Sequence, residues 1–185
     1  MFVWESIAHM LLPLGEVGVK ALPNEQAMMA TVKDTVKESG FYFFPAPEDR
    51  PDMTGEQKKQ AMYQAMEKSR TGPSGIIITH PNGRTETLTA QLLTQFATDV
   101  LAMLVAALLL SRSISKAYGS RVLFVAWMGL LPTLATEVPQ WNWFGFPAAY
   151  TLAQLTVHLV GFIAGGLVLA KVVQPAWQSK ASFAD

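Results

Sequence analysis

Residues 87–110 read TLTAQLLTQFATDVLAMLVAALLL, and residues 111–116, which follow, read SRSISK. The first stretch carries one ionisable side chain, Asp99, and then meets a basic loop. A helix of that length measures about 36 Å, enough to cross a hydrocarbon core of about 30 Å. Apolar residues occupy most of its circumference, so it has no soluble face to turn to water. In lipid the backbone must bond within the segment, and a helix does that. The reading therefore starts from a membrane-crossing helix.

Two further stretches match it. Residues 122–138, with Pro132 inside, and 148–173 are nearly free of charge, whereas residues 20–86 hold most of the acids and bases. Half of the chain is hydrophobic and 15% is charged, against about 25% charged in an ordinary globular protein. Met1 to Leu12 is also apolar, but it lacks the positive start of a cleaved signal peptide. Twelve residues are too few to cross, since a crossing takes about 20. A first crossing must run through Pro13 to Val19, either as a kinked helix or as a longer helix inside which the start codon falls.

The fold class expected is mainly α: a polytopic membrane helix bundle of about four transmembrane helices with a small α+β extramembrane insertion. Its parts are a first helix at 1–19, an extracytoplasmic insertion at 20–86, a three-helix segment at 87–173 and a cytoplasmic tail at 174–185. Within the insertion, Asn24 is placed to cap a helix carrying Met28, Val32 and Val36, with Gly40 as its stop. Phe41–Phe44 reads as a short edge strand or an interfacial segment. Thr54 and Gln57 have capping-box spacing and open a helix to Ser69, whose Ala61, Ala65, Met62 and Met66 make an apolar stripe. Ile76–Thr79 reads as a strand, with Ile76 to Ile78 buried against that helix or in a partner. The core is thin for a free-standing unit.

Basic residues in short loops mark the cytoplasmic side. Arg112, Lys116 and Arg121 cluster between the second and third crossings, and Lys171 and Lys180 flank the last one. Gln140–Pro147 is rich in aromatics, has no base and reads as a loop at the opposite interface. Both termini are then cytoplasmic and residues 20–86 outside, in the periplasm of a bacterium whose inner membrane holds the protein.

Ionisable groups inside a bilayer are costly and mark candidate sites. Gln91, Gln95 and Asp99 repeat every four residues on one helix face, and Tyr150, Gln154 and His158 do so on another. Asp99 precedes Arg112, and His158 precedes Lys171, by the same thirteen residues, so both lie about 20 Å from the basic side. This predicts that Asp99 and His158 pair, either as a structural hydrogen bond or as a proton- or solute-handling site. His9 and His158 are candidate axial ligands of a b-type haem. Glu5 and His9 sit one turn apart, and Glu137 lies near the outer end of its helix. Gly161 and Gly165 have small-xxx-small spacing for close helix contact.

Other chemistry is excluded or unsupported. Without cysteine there is no disulfide, thiolate metal site or cysteine nucleophile. Zero net charge offers no field for nucleic acid. No Walker loop, G-x-G-x-x-G, H-E-x-x-H or G-x-S-x-G occurs. Ser113-Ile114-Ser115-Lys116 matches S-x-x-K only by letter. Met53, Met62, Met66 and His80 suit copper(I), but methionine at helical spacing is commonly core. The function expected is a non-enzymatic accessory or assembly subunit of a larger membrane complex, with the bilayer and partner subunits as its contacts and no required cofactor. The alternative is a small haem-binding or proton- or solute-handling membrane protein using Asp99 and His158.

Overall fold

Each long apolar stretch is helical. The computed structural model describes residues 1–175. Its elements are α1 (Phe2–Met10), a 3-10 turn (Pro13–Gly15), α2 (Glu25–Thr35), β1 (Gly40–Phe44), α3 (Gly55–Thr71), β2 (Gly75–Thr79), α4 (Leu88–Arg112), α5 (Tyr118–Phe144) and α6 (Ala148–Val172). Three of them, α4, α5 and α6, are long and apolar enough to cross a membrane. The chain divides into two units: Ala21–Thr85, and a helical unit made of Met1–Lys20 with the residues from Glu86 onward. Lys180 and nearly all of the expected tail lie outside the described residues.

Residues 1–19 do not form one continuous helix of spanning length. α1 has nine residues, about 14 Å of helix. Leu12 turns extended, with φ −101° and ψ 131°, immediately before Pro13. Proline disfavours helical backbone at the residue before it and brings no N–H of its own, so the helix ends there. α1 still belongs to the membrane unit. Trp4 Nε1 donates to Val157 O at 2.8 Å, and Phe2 meets the ring of Phe96 edge-on at 5.5 Å. It therefore lies against both α4 and α6.

α4 starts where Thr87 Oγ1 accepts the amide of Ala90 at 3.2 Å. α5 runs further than the sequence suggested. Val138 N–H bonds to Thr133 O, a turn one residue wider than the regular one, directly before Pro139. In a regular helix the proline ring would meet the carbonyl four residues back; the wide turn absorbs that conflict. The helix then continues through Trp141 and Trp143, residues expected in a loop. It stops at Gly145, whose φ of 71° suits glycine, and Phe146 N–H closes on Gln140 O.

The core of the helical unit contains Ala106, Leu110, Val125 and Phe162. Its most extensive helix contact is between α5 and α6. A Cβ on Gly129 would meet His158 O and Phe162 Cβ at 3.0 Å, and one on Gly166 would meet Val122 O at 3.1 Å. The glycines singled out by spacing are also at close helix contacts, with α1 and α4. Gly161 faces the side chains of Trp4 and Met1, and Gly165 faces Met103.

Arg121 is also unlike its expected role as a loop charge. It is 4% exposed. Its Nε donates to Ala170 O at 3.3 Å, Nη1 to Ser115 O at 3.3 Å and Nη2 to Val173 O at 2.6 Å. The last carbonyls of a helix lack partners within it and form the negative end of its dipole. Arg121 meets both needs at the end of α6. Tyr118 adds a bond from its hydroxyl to Leu167 O at 3.0 Å.

The second unit holds the expected local motifs. Asn24 Oδ1 accepts the amide of Ala27 at 3.3 Å. Thr54 and Gln57 form the reciprocal capping box, at 3.3 and 2.8 Å. β1 and β2 pair antiparallel, with Tyr42 opposite Ile77 and Phe43 opposite Ile76. Its interior is small. Ala61 and Ala65 are the buried hydrophobic residues of this unit, and α2 buries none. Met62 and Met66 are exposed, because the two alanines take the inward face. Ile76 and Ile77 are half-buried, but Ile78 is 69% exposed.

Candidate functional site

The polar groups of the membrane unit gather at α1 and α4. Gln95 and Asp99 are one helical turn apart, so their side chains meet on one face. Gln95 Nε2 donates to Asp99 Oδ1 at 3.0 Å and to Glu5 Oε2 at 2.7 Å. One amide thus holds two carboxylates, that of Asp99 on its own helix and that of Glu5, 90 positions before Gln95 in sequence. Asp99 is 4% exposed and its Oδ2 has no hydrogen-bond partner. Among the described residues no lysine or arginine pairs with Asp99 or Glu5.

The expected pairing of Asp99 with His158 is not formed. His158 Nδ1 instead lies 3.5 Å from Thr133 Oγ1, a long contact to the buried first residue of the wide turn in α5. The reason is α1. It packs on both α4 and α6, Trp4 binds the α6 backbone, and Glu5 meets the polar face of α4. The helical periodicity placed Gln95 and Asp99 on a common face, but it cannot report which neighbour that face meets.

The other candidates disperse. Gln91 is exposed, while Tyr150 and Gln154 are half-buried. Tyr150 packs against Phe146, with ring centroids 5.6 Å apart, and its Cβ stands close to Gly18. His9 is exposed and its Nδ1 donates to Glu5 O at 2.9 Å, so Glu5 and His9 meet through backbone and not through the carboxylate. The cavity beside Asp99 is lined by neither His9 nor His158. Glu137 Oε2 and Thr151 Oγ1 are buried without partners. Met53 Sδ accepts the amide of Arg50 at 3.3 Å, and His80 lines a separate groove in the second unit. Among the described residues no three His, Asp or Glu side chains gather closely enough to hold a metal ion.

Two grooves are candidate surfaces. Beside Asp99 is a groove of about 390 Å³, walled by Phe2, Phe96, Val100, Met103, Leu104 and Leu169. In the Ala21–Thr85 unit a groove of about 660 Å³ runs between α2 and β2, lined by Met28, Val32, Phe44 and the three isoleucines. Sequence reasoning missed both, and it missed Glu5 as the partner of Gln95. The signal available for Glu5 was that it is the one acid in the apolar first segment up to Pro13.

Comparison with known protein families, curated proteins and solved structures finds no significant match to this chain.

Proposed function

We propose that this chain is a non-enzymatic accessory or assembly subunit of a larger membrane complex, and that its Ala21–Thr85 unit grips a partner. One observation carries the reading. Ala61 and Ala65 are the unit's buried hydrophobic residues, yet Phe41, Tyr42, Phe43 and Phe44 are 36–50% exposed, alongside Ile78, Met62 and Met66. A partly exposed apolar surface of that density on an extramembrane unit marks an interaction site. Each fully buried aromatic contributes roughly 1.5–3 kcal/mol, so covering the strand is worth several kcal/mol.

The placement proposed is the bacterial inner membrane. Arg112 and Lys116 assign the loop after α4 to the cytoplasm, which puts Ala21–Thr85 in the periplasm and the end of α6 inside. A cytoplasmic N-terminus needs a fourth crossing, and α1 alone is too short to supply it. The rival reading, a haem-binding or proton- or solute-handling protein, has less support, because Asp99, His158 and His9 have separate surroundings.

The test is a photo-cross-linking residue at Phe43 and, separately, at Ile78, in the full chain in its own membranes. One discrete adduct with another polypeptide, shared by both positions, is expected. Adducts only with lipid or with this chain's own residues would overturn the reading.

A further inference from the structure

The groove beside Asp99 is apolar at every wall but one. Asp99 Oδ2 is buried there without a donor, and the other carboxylate oxygen shares its amide with Glu5. A buried acceptor left unpaired is destabilising, and a buried carboxylate without a counter-charge more so. An acyl chain fits the apolar walls but brings no donor for Oδ2. Among the described residues no lysine or arginine lies in ion-pair range of the two carboxylates, which leaves a place for a positive group from outside.

The position of α1 says what shape brings it. Gly18 lies against Pro147 and Tyr150 at the start of α6, and Met1 lies against Gly161 thirteen residues further on. α1 and the turn after it thus cover the first half of α6. The groove continues from Met1 toward Leu169, along Val100, Met103 and Leu104 of α4. α1 borders this groove through Phe2 and Val3 but does not fill it.

We infer that this groove receives an apolar membrane helix of a partner subunit carrying a lysine or arginine, whose cation closes on Asp99. The inference rests on the subunit reading above and names the chemistry of the partner. The helix supplies apolar side chains to Phe96, Val100 and Leu104, and its cation completes the Glu5–Gln95–Asp99 cluster.

The experiment places benzoylphenylalanine at Leu104 in the full chain, irradiates native membranes and sequences the cross-linked peptide. The expected adduct is an apolar partner segment with a Lys or Arg within about one helical turn, 3.6 residues, of the linked residue. Asp99→Leu should reduce its yield on the order of a hundredfold, because the partner's cation is left buried and alone. Changing that cation to methionine in the Asp99→Leu background should restore the yield, since an apolar pair replaces a buried ion pair well. If Asp99→Leu does not accumulate, Asp99→Asn serves, with a drop of about tenfold expected from loss of the charge. A lipid adduct, a second copy of this chain, another segment of the same chain, a partner peptide without a cation, or an unchanged yield in the variants each overturns the inference. An adduct at Phe43 with none at Leu104 defeats the groove and leaves the subunit reading standing. No polypeptide adduct at any of these positions defeats both.

Discussion

Replacing Arg121 by methionine keeps an unbranched apolar stem and removes every donor. Three bonds disappear, to Ala170 O, Ser115 O and Val173 O. A bond from a charged donor contributes about 1.5–3 kcal/mol when well made, and here one is short while two are at the long end. Water reaches part of the freed end of α6 and offsets some of the loss. Loss of the favourable charge at the helix terminus adds about 0.3–1 kcal/mol. The sum is a destabilisation of about 3 kcal/mol for Arg121→Met. Arg121→Lys retains the charge but presents a point and not a fork, so it should lose about 2 kcal/mol. The assay is reversible unfolding in mixed micelles, titrated with a denaturing detergent and followed by helix content. Methionine within about 0.5 kcal/mol of the unmodified chain, the range of an ordinary surface change, would refute the capping role. So would lysine equal to arginine.

Other expectations follow from the same geometry. Cysteines at Ser74 and at Ile114, the latter 89% exposed, should be labelled from opposite sides of intact cells, with Ser74 outside; labelling from one side would overturn the orientation. Gly166→Leu should destabilise the helical unit by about 1–3 kcal/mol, because its Cβ would press on the Val122 carbonyl, whereas Gly119→Leu, with open space around it, should not. The detergent titration above reads both. Thr54→Ala should lower the stability of α3 by about 1 kcal/mol through loss of the capping box, seen as faster amide exchange in its first turn.

What was legible in the sequence is what neighbouring residues decide. The apolar helices of spanning length at α4 and α6, the caps at Asn24 and Thr54, and the strands around Phe41–Phe44 and Ile76–Thr79 each rest on a local pattern, and the structure contains them. The failures lie where a distant residue decides. Arg121 looks like a loop charge until the end of α6, some fifty positions later, comes back to it. Gln95 and Asp99 share a face by periodicity, but only the packing of α1 brings Glu5 to it. Pro13 was visible, and its consequence was underestimated: it limits the first segment to nine helical residues and leaves three helices of spanning length. Spacing puts Ala61, Ala65, Met62 and Met66 in one stripe, but only the alanines are buried, because the smaller side chains allow closer approach.

The most direct test of the account is native mass spectrometry of the complex extracted in mild detergent from its own membranes. The account predicts the 20.2 kDa chain in a fixed ratio with a second polypeptide, released as a unit only on activation. Detection of the chain solely as a monomer or as copies of itself with bound lipid, under conditions where other membrane complexes survive, would contradict it.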